Sequence, residues 1–216
     1  MATLTEQLRE LAATNASRIP PEIGKVMNQA TSDLQHSGIL GRTLKVGEKA
    51  PDFGLPDATG KLHTLAELRT RGPVVLAFYR GGWCPYCNLE LRELQAHRGA
   101  FEARGAQLVA VSPQTPDASL STAEKNALSF PVLSDVGHRV ARQFGLVFTV
   151  PDALRPIYSQ FGIDIPGSNG DTTFELPIPA TYVIDRKGEI AYAFAEADYT
   201  KRADPLELLA ALDQLR

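Results

Sequence analysis

A fully apolar segment passes almost directly into a helix-forming segment, and the chain's two cysteines lie at the junction. The apolar segment, VVLAFY at 74–79, is followed by Arg80, two glycines and Trp83. Cys84 and Cys87 come next in a C-x-x-C spacing, and the LELRELQAHRGAF that follows them has helical periodicity. An uninterrupted apolar run of this length is typical of a strand that is covered on both faces. The pattern predicts a central strand that ends at a helix N-terminus carrying both thiols.

Short extended segments alternate with helical segments on both sides of this junction. Extended segments are predicted at 62–65, 74–79, 108–112 and 132–133, and helices at 84–104, 117–128 and 136–144. A hairpin at 181–185 and 189–194 and a last helix at 205–215 follow. This order predicts an α/β fold in which a mixed sheet has helices on both faces. The proline-rich stretch 151–179 is predicted to be a long ordered insertion on one side of the sheet.

The N-terminal segment is predicted to form a helical arm. Thr3 and Glu6 form a capping box for a helix over about 3–15, and a second helix is predicted over about 21–36. A glycine-containing linker separates this arm, 1–43, from a domain at 44–216. Each arm helix has an apolar stripe, which we expect to pack on the arm's own domain. The alternative is that the stripes form a homodimer contact.

The composition argues against several classes of protein. The chain has 22 Lys and Arg residues against 25 Asp and Glu residues, and a net charge of −3 disfavours nucleic acid or an anionic membrane as a partner. No apolar run reaches the roughly 18–20 residues that span a bilayer, and the first residues lack the apolar core of a signal peptide. Two cysteines are too few for the disulfide framework of a small secreted protein. We therefore expect a cytoplasmic protein.

The position of the cysteines indicates redox chemistry. A helix N-terminus stabilises a thiolate, and thiols in C-x-x-C motifs have pKa values lowered to roughly 3.5–7.5. Cys87 lies one helical turn from Cys84, within reach of a disulfide. Two other interpretations are half of a zinc site and a pair of inert core cysteines. The four histidines form no second pair with the spacing of zinc ligands, so we predict no metal. Inert buried thiols are not typical of a helix N-terminus, which argues against the second interpretation.

Three blocks of the sequence resemble the signature blocks of the peroxiredoxin (alkyl hydroperoxide reductase/thiol-specific antioxidant) family. They are VGEKAPDFGLPDATGKLHTL, VVLAFYRGGWCPYC and LPIPATYVIDRKGEI, and the resemblance extends from about residue 44 to the C-terminus. The second block resembles the branch that carries a thioredoxin-style C-x-x-C. The resemblance implies a thioredoxin fold, preceded here by the arm, and a peroxidase that needs no cofactor. It also implies a hydroperoxide substrate and a thiol reductant such as thioredoxin, glutaredoxin or a low-molecular-weight thiol.

The turn that contains Cys84 and Cys87 matches the family pattern only in part. Typical members carry P-x-x-x-T-x-x-C, whose cysteine attacks peroxide. In that alignment Cys87 takes the attacking position, Cys84 replaces the Thr and Arg80 replaces the Pro. Typical members also have a peroxide-binding Arg just before the strand of the third block, where this chain has Pro179. Thioredoxin-like proteins instead place a cis-proline there, which faces the C-x-x-C and offers its backbone to an incoming disulfide substrate, and Pro179 resembles that substrate-binding residue. The alternative is an ordinary proline at the start of a strand.

The remaining candidate residues surround the thiols. Trp83 and Tyr86 are expected to flank them and restrict access, and Arg80 is expected to provide positive charge for a thiolate or a peroxide oxygen. Packing roles for the aromatic residues and a structural role for Arg80 are the alternatives. The polar loop 198–202 contains a second arginine that could approach the site.

Three functions are compatible with this motif. In a peroxidase, Cys87 becomes a sulfenic acid, Cys84 condenses with it to a disulfide, and a thiol donor restores the pair. In a thioredoxin-like reductase, Cys84 attacks a disulfide substrate and Cys87 resolves the mixed disulfide. In a redox-switch protein the pair turns over little, and the arm binds a partner. The overall resemblance favours the peroxidase.

Overall fold

The structure, a computed structural model, describes residues 2–215. The strands are β1 (Gly54–Pro56), β2 (Leu62–Thr64), β3 (Val74–Phe78), β4 (Gln107–Ser112), β5 (Val132–Ser134), β6 (Val147–Thr149), β7 (Glu175–Pro177), β8 (Ala180–Ile184) and β9 (Ile190–Ala195). The α-helices are α1 (Leu4–Arg18), α2 (Pro21–His36), α3 (Ile39–Arg42), α4 (Leu65–Arg71), α5 (Pro85–Ala96), α6 (Arg98–Glu102), α7 (Pro116–Lys125), α8 (Arg139–Gln143), α9 (Arg155–Gln160), α10 (Ile165–Asn169) and α11 (Pro205–Asp213). A 3₁₀ turn, Asp152–Leu154, precedes α9.

Five strands of the described chain form the central mixed sheet, in the order β5-β4-β3-β8-β9. β3, β4 and β5 are parallel, whereas β8 is antiparallel to both β3 and β9. Every residue of β3 is buried, because one apolar cluster covers each face of the sheet. The predicted α/β class and the mixed sheet with helices on both faces are confirmed.

Two predicted helices differ from the observed ones for local reasons. The helix predicted at 84–104 is divided at His97, whose backbone (φ −92°, ψ 1°) leaves the α conformation between α5 and α6. The ring nitrogen Nδ1 of His97 lies 2.9 Å from the carbonyl oxygen of Glu93. The helix predicted from 136 begins only at Arg139, because His138 adopts a left-handed conformation (φ 60°). The short strands β1, β6 and β7 were not predicted.

The N-terminal arm packs on the rest of the chain. Leu4 and Leu8 of α1 are buried in the same apolar cluster as the two cysteines. In α2, Val26, Met27 and Ala30 pack against an apolar cluster that lies mainly in the insertion. The expected docking of the stripes is therefore observed, and the predicted linker contains the short helix α3. The predicted division at residue 43 stays a prediction, and its outer limits, Met1 and Arg216, lie outside the described residues.

The insertion at 151–179 has a small core of its own. The β6–β7 pair joins its two ends, and α9 and α10 lie between them. Its buried residues include Leu154, Tyr158 and Ile165. The insertion and α2 consequently stand next to each other on the side of the sheet where β3 ends. No helix within residues 2–215 is long and apolar enough to cross a membrane.

Candidate active site

The two cysteines lie in the turn that joins β3 to α5. Cys84 is the N-cap residue of α5, Pro85 is its first residue, and Cys87 lies in its first turn. Proline is favoured at the first helical position because the N–H that it lacks has no partner there. The predicted position of both thiols at a helix N-terminus is confirmed, and both cysteines are free thiols.

Side chains from neighbouring segments form hydrogen bonds with the backbone of Gly82, in the turn before Cys84. The N–H of Gly82 donates to Oε1 of Gln114 at 2.8 Å, and Nδ2 of Asn88 donates to the carbonyl oxygen of Gly82 at 2.8 Å. A Cβ atom on Gly82 would overlap with the buried side chain of Thr122. Close approach of α7 therefore requires glycine at this position.

The two cysteines differ in their position relative to a cleft. Cys84 lines a cleft of about 310 Å³, although only 1% of its surface is exposed. Cys87 is completely buried and does not line that cleft. A small molecule that enters the cleft therefore meets Cys84 and not Cys87.

Arg202 contacts the buried thiol. Its Nη2 donates to Sγ of Cys87 at 3.0 Å, and its Nε donates to Oε2 of Glu90 at 2.5 Å. Thr181 donates to the other oxygen of Glu90 at 3.2 Å. Burial raises the pKa of Glu90 to about 7, although the charge of Arg202 opposes that effect. Arg202 thus connects Cys87 to a buried carboxyl group.

Arg80 lies in an aromatic cage beside the thiols. Its Nη2 donates to the hydroxyl of Tyr158 at 2.5 Å. The guanidinium carbon lies 5.0, 5.7 and 4.7 Å from the ring centroids of Trp83, Tyr158 and Tyr199. Within residues 2–215 Arg80 forms no salt bridge, and its Nε has no hydrogen-bond partner. A buried charge without a carboxylate partner favours a nearby thiolate.

The environment distinguishes the two thiols electrostatically. Burial raises the pKa of Cys84, but the thiol of Cys87 and the charges of Arg80 and Arg202 outweigh it and lower that pKa from 9.0 to about 5. Burial and the neighbouring Cys84 raise the pKa of Cys87 well above its ordinary value. Near neutral pH the pair therefore carries its negative charge on Cys84.

Trp83 and Tyr86 flank Cys84 as expected, and both line its cleft. The hydroxyl of Tyr86 accepts a hydrogen bond from Nδ2 of Asn15 at 3.1 Å, which connects the arm to the thiol turn. Phe161 and Ile163 of the insertion line the cleft on another side. The arm and the insertion together restrict access to the thiol.

Pro179 differs from the sequence-based expectation. No peptide bond in residues 2–215 is cis, so the interpretation of Pro179 as a cis-proline is wrong. Its carbonyl oxygen accepts the N–H of Glu196 at 3.2 Å, which extends the β8–β9 pairing back by one residue. Pro179 lines a second cavity, of about 230 Å³, which shares Arg80, Tyr158 and other lining residues with the cleft over Cys84.

The structure therefore brings Arg80, Trp83 and both cysteines together and places Pro179 in the neighbouring cavity. Glu90 was not predicted from the sequence, and Arg202 was predicted only as an arginine of the loop 198–202 that could approach the site. Glu90 had a weak signal, because it lies three residues after Cys87 on the same face of the helix. Among residues 2–215, no group of three or more His, Cys, Asp or Glu side chains is arranged to hold a metal ion.

The chain combines a mixed sheet with two neighbouring thiols in the turn that follows the central strand. This combination defines a thiol-based redox protein of the thioredoxin fold. Residues 46–193 match the AhpC/TSA family, and the chain belongs to this family. A putative peroxiredoxin of Mycobacterium tuberculosis is 29% identical over 150 residues, which are 69% of this chain and 84% of that protein. Peroxiredoxin Bcp of Escherichia coli is 32% identical over 103 residues, 48% of this chain and 65% of that protein.

Solved structures agree with this assignment. The crystal structure of peroxidoxin BcpB from Mycobacterium tuberculosis has a TM-score of 0.63 and 26% identity, and the match covers 80% of this chain and 99% of that one. The predicted thioredoxin fold and the predicted family are confirmed. The class of enzyme is confirmed with them: a thiol-dependent peroxidase, which is an oxidoreductase.

Proposed function

We propose that Cys84 is the thiol that attacks the hydroperoxide and that Cys87 is the thiol that resolves the product. The observation that carries this proposal is the position of Cys84, which lines the cleft whereas Cys87 does not, and its pKa is lowered to about 5. The order reverses the one that the family alignment implies, in which Cys87 attacks. Both orders use the same dithiol/disulfide cycle.

The steps follow from the contacts of each thiol. The Cys84 thiolate attacks one peroxide oxygen, the O–O bond breaks, and the alcohol or water leaves after taking up a proton. Cys84 is then a sulfenic acid. Cys87 condenses with it, water leaves, and a disulfide forms. Two electrons from a thiol donor restore the dithiol.

The two arginines support different steps. Arg80 has no carboxylate partner among residues 2–215, and its charge favours the Cys84 thiolate and the negative charge that develops on the departing oxygen. Arg202 donates to Cys87 and favours the thiolate of that residue when it attacks the sulfenic acid. The raised pKa of Cys87 keeps it protonated until then.

The test is rapid mixing of the reduced Cys84→Ser and Cys87→Ser variants with hydrogen peroxide, with a sulfenic-acid trap and mass spectrometry. We expect fast trapping on Cys84 in Cys87→Ser and slow trapping on Cys87 in Cys84→Ser. The opposite pattern would return the attacking role to Cys87. If neither variant reacts faster than a free thiol, the proposed attack by Cys84 is rejected.

A thioredoxin-like disulfide reductase is the second candidate, because Cys84 at a helix N-terminus also suits attack on a disulfide. Its burial argues against large protein disulfides as substrates. Reduction of insulin disulfides by the wild type, without fast peroxide reduction, would favour this candidate. A redox switch would instead change the protection of the arm on oxidation, which hydrogen exchange measures.

The proposed function also includes a cytoplasmic location and a homodimer as the assembly to be tested. A dithiol that must be reduced again after each cycle suits the reducing cytoplasm, and cell fractionation tests this. Homodimer formation is tested by the sedimentation of the reduced and oxidised protein.

A further inference from the structure

Two separate segments of the chain form the walls of the cleft that Cys84 lines. Asn15, Ile19 and Met27 of the arm form one wall, and Phe161 and Ile163 of the insertion form another. The cleft volume of about 310 Å³ is at the lower end of the range for small-molecule sites, roughly 300–1,000 Å³. A folded donor protein has to bring its own sulfur into contact with Cys84 between these walls. A slender thiol reaches the same atom without displacing them.

The cleft is positively charged. Its lining contains Arg18 at the exposed end of α1 and the buried Arg80, and no aspartate or glutamate of the described chain lines it. Arg80 is only 3% exposed, and its Nε lacks a hydrogen-bond partner within the described chain. A carboxylate is the small group that best complements an unpaired guanidinium.

The charge balance depends on the redox state. In the reduced protein the Cys84 thiolate compensates Arg80, whereas the disulfide carries no charge. Glu90 does not replace the thiolate, because its carboxylate is paired with Arg202. Oxidation therefore leaves the positive charge of Arg80 without a neighbouring negative charge. This is the stage of the cycle at which a reductant has to bind.

Building on the proposed function, we propose that the cleft over Cys84 binds an anionic low-molecular-weight thiol, one that carries a carboxylate, as the electron donor. The donor thiolate attacks Sγ of Cys84, the Cys84–Cys87 bond breaks, and Cys87 leaves as a thiolate beside Arg202. A second donor thiolate then attacks the donor sulfur of the mixed disulfide. Cys84 is released as a thiolate, and the donor leaves as its own disulfide. Two donor molecules thus supply the two electrons.

The experiment compares three thiols that share a two-carbon spacer: 3-mercaptopropionate, 2-mercaptoethanol and cysteamine. The protein is oxidised to its disulfide with diamide, and reduction is followed by the fluorescence of its single tryptophan, Trp83. Each reduction rate is divided by the concentration of the thiolate form, because the three thiols have different pKa values and therefore different thiolate fractions at the assay pH. We expect the anionic thiol to react about tenfold or more faster than cysteamine, with 2-mercaptoethanol between them. A thioredoxin should be slower per thiolate than 3-mercaptopropionate.

Arg18→Gln tests whether the charge of the cleft causes the preference. We expect it to reduce the rate ratio of 3-mercaptopropionate to cysteamine about two- to fivefold. Arg9→Gln is the matched control, because Arg9 is an exposed arginine of the same helix that does not line the cleft. It should leave the ratio unchanged.

Three results would overturn the donor proposal: equal or faster reduction by cysteamine, equal effects of the two arginine substitutions, or faster reduction per thiolate by thioredoxin. The diamide step makes the test independent of peroxide. If peroxide fails to oxidise the dithiol but the thiol preference is observed, the proposed function fails while the donor site stands.

Discussion

Replacing Arg80 by methionine should raise the pKa of Cys84. The structure holds that pKa at about 5, against an ordinary value of 9.0, and Arg80 is one of the two cations responsible. An opposite charge within about 4–6 Å shifts a pKa by roughly 1–3 units, so we expect a value of about 6–8 in Arg80→Met. At about pH 6 the thiolate fraction would fall from about 90% to about 10% if the new pKa is about 7.

The assay is the pH dependence of alkylation of the reduced protein by iodoacetamide, with the Cys84 peptide quantified by mass spectrometry. The wild-type rate should reach its plateau about one pH unit above the pKa of about 5, and the variant rate should reach it about two units later. At about pH 6 the variant should react about tenfold more slowly. Peroxide reduction at that pH should fall in parallel.

Arg80→Lys is the matched control. It keeps the positive charge but loses the planar contact with Trp83, Tyr158 and Tyr199. We expect its Cys84 pKa to stay within about one unit of the wild-type value. An unchanged pH profile in Arg80→Met would refute the reasoning, because Cys87 and Arg202 would then account for the lowered pKa without Arg80. Equal shifts in both variants would show that the shape of the side chain, and not its charge, controls the thiol.

The remaining predictions concern stability, and urea unfolding of the reduced protein measures each of them. Arg202→Met should reduce the free energy of unfolding at about pH 7 by about 1–3 kcal/mol, because Glu90 and Cys87 lose a buried hydrogen-bond donor. Arg202→Met/Glu90→Gln should recover part of this loss, and an equally unstable double variant would contradict the argument. The raised pKa of Glu90 means that its contribution to stability is fully present below its ordinary pKa of 4.5 and is lost as the pH rises through about 7. Glu90→Gln should therefore remove a decline of about 3 kcal/mol over that interval, and an identical pH dependence in the two proteins would exclude this. Leu8→Ala should reduce the free energy of unfolding by about 2–4 kcal/mol because Leu8 is buried, whereas the exposed Leu120 should tolerate the same change within about 0.5 kcal/mol.

The candidate site contains two buried arginines with different partners. Arg202 is paired with the buried carboxyl group of Glu90, and Arg80 is surrounded by aromatic rings. One thiolate is therefore enough to balance the remaining charge, and the cleft-facing Cys84 carries it. This arrangement accounts for opposite pKa shifts in two cysteines that lie only three positions apart.

The fold was largely predictable because its signals are local. A fully apolar run of six residues predicted the buried central strand, and Pro85 after Cys84 predicted the helix start. The breaks at His97 and His138 were not predictable, because each depends on the backbone conformation of a single residue. The three-residue strands β1, β6 and β7 are too short to show a periodicity.

The sequence by itself determined the strand, the thiol turn, the helix that follows it and the family, because those features depend on neighbouring residues. Tertiary structure alone decided which cation contacts which thiol and which thiol faces a cleft. Arg202 lies 115 positions from Cys87 and reaches it only because the β8–β9 hairpin returns the chain to the central strand. The arm and the insertion likewise meet over Cys84 only after folding. Charge and access at a buried sulfur depend on distances in space, and spacing along the chain does not specify those distances.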